Sequence, residues 1–379
     1  DGGSLADPEA EAPCLLMTDP PTRIKGRGAA SNPVGRFEST RGEIEDDGWW
    51  QEFLPSRPQT QVVDETARSI LSRNDSPDIP FDQSINAYRG CEHGCVYCYA
   101  RPTHEYLNLS SGLDFETRLF AKVNTLDLLR RELGKPGHEV RPINLGANTD
   151  PYQPIEKRYQ LTRQILELLL QTRHPLTIVT KNALVLRDLD LLRALAALQL
   201  VQVFLSITTL DNGLASRLEP RASAPHARLR AVRELTQAGV PVGVFVAPVI
   251  PAITDHELET IMGAAHEAGA SIISYTLVRL PHQVAPLFRE WLEVHFPQRA
   301  AHVMSLIQQM RGGRDNDPRF GSRMRGEGQF AELLRQRFQL ARKKLGFTSR
   351  DERPELRCDL FQAPTRPRPA SPQGDLFGG

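Results

Sequence analysis

Through the middle of the chain, short runs rich in Val, Ile and Leu alternate with longer stretches whose apolar residues recur every three or four positions. The first kind fits buried strands and the second amphipathic helices. Read as strand-then-helix pairs, they fall at 84–88 and 126–133, 143–146 and 161–172, 176–180 and 189–198, 201–207 and 227–238, 242–246 and 256–268, and 271–277 and 285–295. Gly239 ends the periodic run LRAVRELTQAG and Gly269 ends ELETIMGAAHEAG, each where a helix stops in the left-handed conformation. Thr254 and Glu257 have the spacing of a capping box. Strands that each return through a helix lie parallel and are buried on both faces. Six units are too few to close an eight-stranded barrel. The pattern therefore predicts an α/β protein built as an open, partial (β/α)6 TIM-like barrel, with a doubly wound sheet as the alternative.

The 379 residues, 40% of them hydrophobic, are enough to bury one large core. No run of about 18 apolar residues occurs, and the start shows no basic segment leading into an apolar one. Neither membrane insertion nor secretion is indicated, and a cytoplasmic location is expected. Residues 1–22 and 363–379 are rich in Pro, Gly and small polar residues, which predicts disordered termini. The expected division is an N-terminal extension over 1–60, a barrel over 61–282, a basic helical extension over 283–350 and a flexible tail over 351–379. Net charge is zero but uneven: residues 287–350 hold 13 basic side chains against 6 acidic, a net of +7. That stretch reads either as a polyanion-binding surface or as an ordinary solvated helical face.

The candidate chemistry lies in RGCEHGCVYCYARPTHEY at 89–106, where Cys91, Cys95 and Cys98 fall within eight positions, just past the first predicted strand. Five cysteines with three clustered do not make an even disulfide framework and read as ligands. A structural zinc wants four ligands, and the fourth would have to be His93 or His104. A [4Fe–4S] cluster on three cysteines leaves one iron open to a substrate or cofactor. In either architecture the loop sits at the C-terminal strand ends, where ligands bind.

The spacing Cys91-x-x-x-Cys95-x-x-Cys98, with aromatic Tyr97 before the last cysteine, resembles the radical S-adenosylmethionine enzymes. NLGANTDPYQPIEKRYQLTRQIL (144–166), TIVTKNALVLRDLDLL (177–192) and the run at 204–255 are similar to the branch of spore photoproduct lyase and its DNA repair photolyase-like relatives, over about residues 60–280. KGRGAASNPVGRFE (25–38) and MRGGRDNDPRFGSRMRGEGQF (310–330) resemble extra segments of one bacterial subgroup of those relatives. The resemblance implies a [4Fe–4S] cluster on the three cysteines, S-adenosylmethionine on the open iron, a 5′-deoxyadenosyl radical and an electron donor of flavodoxin or ferredoxin type.

By the same resemblance, Tyr97 and the strand-end residues Asn148, Thr149 and Asp150 face the cofactor, the last three toward its ammonium; a simple turn before Pro151 is the alternative. Lys181 and Ser206 would meet its carboxylate or ribose, Arg217 or Arg221 would clamp the carboxylate unless paired with Glu219, and Ala247 marks the adenine end. In the lyase a hydrogen-donating cysteine follows the second strand; the matching position here is Ala147. Repair of the same lesion is therefore not expected. His104 reads as an exposed loop histidine, and Trp49 with Trp50 as anchors of the N-terminal segment. QGDLF (residues 373–377, opening at Gln373 and closing at Phe377) resembles peptides that bind the bacterial sliding clamp, and Asp359-Leu360-Phe361 is a second partial match. The leading expectation is a radical enzyme acting on nucleic acid. A radical enzyme for a peptide or metabolite, and a zinc-stabilised nucleic-acid-binding protein without catalysis, are the alternatives.

Overall fold

The computed structural model describes residues 24–37, 58–348 and 355–364. In chain order its strands are β1 (Gln61–Glu65), β2 (Leu71–Arg73), β3 (Gln83–Ile85), β4 (Tyr88–Arg89), β5 (Arg118–Lys122), β6 (Ile143–Leu145), β7 (Leu176–Thr180), β8 (Val201–Ser206), β9 (Val242–Val249) and β10 (Ile272–Leu277). Strands β3, β6, β7, β8, β9 and β10 pair in parallel in that order, and β2 closes the β3 edge antiparallel. A doubly wound sheet reverses its strand order midway. Here the order never reverses and the two edges do not pair, so the sheet is an open partial barrel.

Each crossover runs through a helix: Thr125–Leu133, Leu161–Gln171, Leu189–Ala197, Pro225–Gln237 and Leu258–Glu267. Because strand side chains alternate, Leu176, Ile178, Val203, Leu205 and Val244 point at these helices and pack with Leu166, Leu169, Leu192, Val232 and Ile261 into the main core. The opposite, concave face carries polar and aromatic side chains. Ser84, Asn144, Thr177 and Gln202 are paired neighbours across four strands, and Asn144 donates to Thr177 Oγ1 at 2.9 Å. Nearer the C-terminal ends Phe204 and Phe245 stack at 4.7 Å.

Four details depart from the sequence reading. The first predicted strand splits at Asn86: its Oδ1 accepts from the Asn148 N–H at 2.9 Å and its carbonyl from Lys122 Nζ at 2.8 Å. The chain is diverted there, and β4 leaves to form a separate sheet, β1-β5-β4. Thr254 and Glu257 do not form a capping box. Thr254 Oγ1 accepts from the Ile250 N–H, and the Glu257 carboxylate takes the Leu210 N–H at 2.7 Å and the Thr209 hydroxyl.

Residues 355–364 are not a loose tail, since Leu360 and Phe361 pack on the core and the Gln362 N–H donates to Thr172 O at 2.8 Å. The clamp-like Asp359-Leu360-Phe361 is thus spent inside the fold. QGDLF at 373–377, Trp49, Trp50 and Cys14 lie outside the described residues.

The C-terminal extension is helical as expected, with Val284–His295, Ala300–Gln309 and Gly328–Leu345. The first two pack against Val96, Tyr97, Leu214 and Leu218, so they roof the cysteine loop rather than standing apart. Much of the expected positive surface is neutralised: Arg289 pairs with Asp315, Arg319 with Asp317, Arg335 with Glu332 and Arg337 with Glu259. Arg342, Lys343 and Lys344 occupy the last turn of Gly328–Leu345, where they complement the helix dipole. No helix among the described residues is long and apolar enough to cross a membrane.

Candidate active site

The cysteine loop follows β4 and is braced from several sides. The Cys91 N–H donates to Phe115 O at 2.9 Å, and the Val96 N–H to Leu218 O at 3.1 Å. Arg101, fully buried, donates from Nε to Cys95 O at 2.9 Å and from Nη1 to the carbonyls of Ser111 and Gly112. Its Nη2 pairs with buried Glu116 at 2.5 Å. Glu116 in turn accepts from the N–H groups of Gly28 at 3.0 Å and Ala29 at 2.9 Å, while Arg27 donates to Glu116 O. The segment 24–37 is strapped across the loop in this way. At Gly28 an added Cβ would lie 1.7 Å from the Gly94 carbonyl oxygen, so only glycine permits the contact.

Cys91 and Cys95 are buried and Cys98 is half-buried. Burial, then the Asp150 carboxylate, pushes the Cys91 thiol well up; burial, then Glu219, pushes Cys95 up to about 12. Cys91 is further opposed by Cys95 and Cys98, and Cys95 by Cys98. Such thiols ionise only when a cation takes them.

Beneath the loop lies a charge cluster that sequence reasoning caught only in part. Tyr97 is buried with its hydroxyl on Glu219. Glu219 also accepts from Thr208 Oγ1 at 2.6 Å and pairs with buried Arg228. It does not pair with Arg217 or Arg221. Burial would raise the Glu219 carboxyl, but Arg228 and then Lys181 hold it at about 2. The Lys181 ammonium lies 5.9 Å from the Tyr97 ring centroid, under the influence of Cys95 and Glu219. Burial works against its charge, yet those neighbours raise it above the ordinary lysine range.

At the end of β6, Asp150 is committed: its oxygens accept from Thr180 Oγ1, the Lys181 N–H and the Tyr152 N–H, and lie 3.3 Å from His93 Nδ1. Burial opposes its charge, and His93 overcomes this to bring it to about 2. These contacts pin β6 to β7 and to the loop. Thr149 is buried on Tyr88 O, while Asn148 is exposed with only its backbone held, by Asn86. A Cβ at Gly146, which has φ +98°, would lie 2.2 Å from Val179 O, so only glycine lets β6 end against β7 in this turn. Ser206 is buried in the register row that pairs it with Phe245. Ala247 sits beside Thr208, whose Oγ1 lies 3.0 Å from its carbonyl oxygen.

The two rim arginines do not converge. Arg217 turns outward and stacks on Phe296 at 4.9 Å, removed from the strand ends. Arg221 lies on the loop's outer side, paired with Glu92 at 2.9 Å. A carboxylate clamp by Arg217 is therefore corrected: the aromatic ring of the C-terminal extension captured it.

The histidines answer the zinc reading. His93 is buried between Asp150 and Asn182, and His104 is buried, not exposed, with Nε2 on Arg118 O at 2.8 Å. Neither imidazole turns toward the cysteines as a fourth ligand. Among the described residues no group of three or more His, Cys, Asp and Glu side chains is placed to hold a single metal ion. A cubane asks for something else, one thiolate on each of three separate irons, and this donor set fits it. Arg101, Glu116 and Arg228 were missed because neither periodicity nor spacing marks a buried ion pair, and His93, read as a possible zinc ligand, is instead paired with Asp150.

A family model described as the Radical SAM superfamily matches residues 85–265. An uncharacterised protein of Mycobacterium tuberculosis is 37% identical over 232 residues, covering 61% of this chain and 68% of its own length. An uncharacterised protein of Methanocaldococcus jannaschii is 31% identical over 214 residues, 56% of this chain and 76% of its own. Among solved structures, spore photoproduct lyase complexed with dinucleoside spore photoproduct is similar at 18% identity and a TM-score of 0.55, covering 75% of this chain and 79% of that one.

Proposed function

Because this chain belongs to the radical SAM superfamily, we propose that it holds a [4Fe–4S] cluster on Cys91, Cys95 and Cys98 and cleaves S-adenosylmethionine to a 5′-deoxyadenosyl radical that acts on nucleic acid. The observation that carries this reading is the braced three-cysteine loop at the C-terminal strand ends, with the Lys181 ammonium beside Cys95. When bound, the cluster supplies the electron that breaks the carbon–sulfur bond of the cofactor. A donor of flavodoxin or ferredoxin type would deliver it.

The chain's own residues bind and orient. Lys181 is a half-buried ammonium with acidic neighbours but no carboxylate bonded to it, which suits the cofactor's carboxylate. The free side-chain amide of Asn148 can accept from its ammonium. Ser206, on the concave wall, would meet the ribose, and Ala247 would give adenine an apolar flank. Tyr97, Glu219 and Arg228 support this set from below, and the first two C-terminal helices exclude water from it.

Nucleic acid as substrate is supported by the concave stack of Phe204 and Phe245, which offers bases an aromatic face, and by the dinucleoside that the structural neighbour holds. Ala147 offers no thiol where the lyase has one, so the lesion or base acted on differs.

The test is anaerobic turnover with dithionite, with 5′-deoxyadenosine measured by chromatography. Wild type should form it, Cys98→Ala should not, and added oligonucleotide should raise the yield. Protein purified without oxygen that contains zinc and no iron would end the proposal.

A further inference from the structure

One group of charges near the loop is out of balance. The chain leaving β10 places Arg279 with its guanidinium 5.8 Å from the Tyr99 ring centroid and Nη1 3.7 Å from Met324 Sδ. Its Nε is buried without a hydrogen-bond partner, and no carboxylate pairs with it among the described residues. Arg311, 2% exposed, gives its Nη atoms to the carbonyls of Val278, Ser322 and Arg323, and its Nε is likewise buried and unpartnered. Arg323 pairs with Asp78 and reaches Ser76 Oγ. The nearby Asp317 is taken by Arg319 and Ser322. Asp78 is thus taken by Arg323, Arg279 and Arg311 pair with no carboxylate among the described residues, and Arg279 is repelled by the other two guanidiniums. Burial first, then Arg323, lowers Arg279; burial first, then Arg279, pushes Arg311 down to about 10.

Holding the buried Arg311 and the half-buried Arg279 without a paired acid is costly unless an anion completes the site. The guanidinium fork matches phosphate oxygens. Position points the same way: Tyr99 follows Cys98 and its hydroxyl donates to Ala147 O, so Arg279 borders the mouth of the concave face. The same arrangement gives work to the segment MRGGRDNDPRFGSRMRGEGQF (310–330), which supplies Arg311, Arg323 and Met324.

We propose that Arg279, backed by Arg311 and Arg323, forms an oxyanion site that takes a backbone phosphate of the nucleic-acid substrate. This rests on the proposed function for the class of the substrate and for its place at the barrel mouth.

The experiment is fluorescence anisotropy of the full-length, reconstituted protein with a short fluorescein-labelled oligodeoxynucleotide, comparing wild type with Arg279→Gln, Arg279→Lys and the surface control Lys344→Gln. Arg279→Gln should bind about tenfold to a hundredfold more weakly, the worth of one charge-assisted contact. Arg279→Lys should fall between, keeping charge without the fork, and Lys344→Gln should match wild type. Because Arg279→Gln removes a repelled charge, its thermal midpoint should equal or exceed that of wild type. No binding by wild type, equal affinity of wild type and Arg279→Gln, or a lowered midpoint that marks a packing role would overturn the proposal. Formation of 5′-deoxyadenosine by wild type is scored separately and decides the radical reading alone.

Discussion

Arg228 and Glu219 form a buried ion pair that joins the cysteine loop to the barrel wall. Glu219 accepts the Tyr97 and Thr208 hydroxyls, while Arg228 donates to Ser206 O at 2.9 Å and Ser223 O at 2.7 Å. Removing one partner leaves the other charge buried and uncompensated, which costs about 3 to 5 kcal/mol. Glu219→Gln and Arg228→Met should each lower stability by that order in chemical denaturation of iron-free protein. The double variant Glu219→Leu with Arg228→Met should lose less than the sum.

Acid should act through the same carboxylates. Glu219 is held at about 2 against an ordinary 4.5, and Asp150 at about 2 against 3.8. A folded-state value below the unfolded one means stability that is present above the unfolded pKa and is lost as pH falls toward the folded one. Urea unfolding should therefore show these contributions intact down to about pH 4.5 and then declining toward pH 2. Stability unchanged through that window would contradict the assignment.

Arg101 holds the Cys95 carbonyl and is itself held by Glu116. Groups that orient metal ligands typically contribute about 10- to 100-fold in metal affinity. Arg101→Gln should retain less iron than wild type after gel filtration with a chelator, while circular dichroism reports an intact barrel.

The Gly28 contact on Gly94 leaves no room for a methyl group. Gly28→Ala should lift the strap at 24–37 from the loop without touching the main core. Limited proteolysis should then cut near this segment several times faster, and the reconstituted cluster should bleach faster in air; identical rates for both proteins would count against a shielding strap.

Lys181→Gln should weaken S-adenosylmethionine binding by about 10- to 100-fold, as expected when one charge-assisted contact is lost. Isothermal titration reads this, and the iron content and absorption of the variant should match wild type.

The six βα units and the cysteine spacing were legible because each rests on neighbours in sequence: Val203, Leu205 and Val244 announce buried strands by alternation, and Cys91, Cys95 and Cys98 share one loop. The split at Asn86 was not legible, since it depends on Asn148 and Lys122. Nor was the anchoring of Leu360 and Phe361, which read as an exposed peptide and instead pack on the core, Phe361 against the rings of His138 and His174.

By itself, then, the amino-acid order determined the parallel open sheet and the gathering of three cysteines in one short loop, because periodicity and short spacing are local properties. Only the tertiary structure decided which charges are partnered. It sent Glu219 to Arg228, His93 to Asp150 and Arg217 to Phe296, and left Arg279 without an acid among the described residues. Burial sets the worth of every such pair, and burial exists only after the chain has closed on itself.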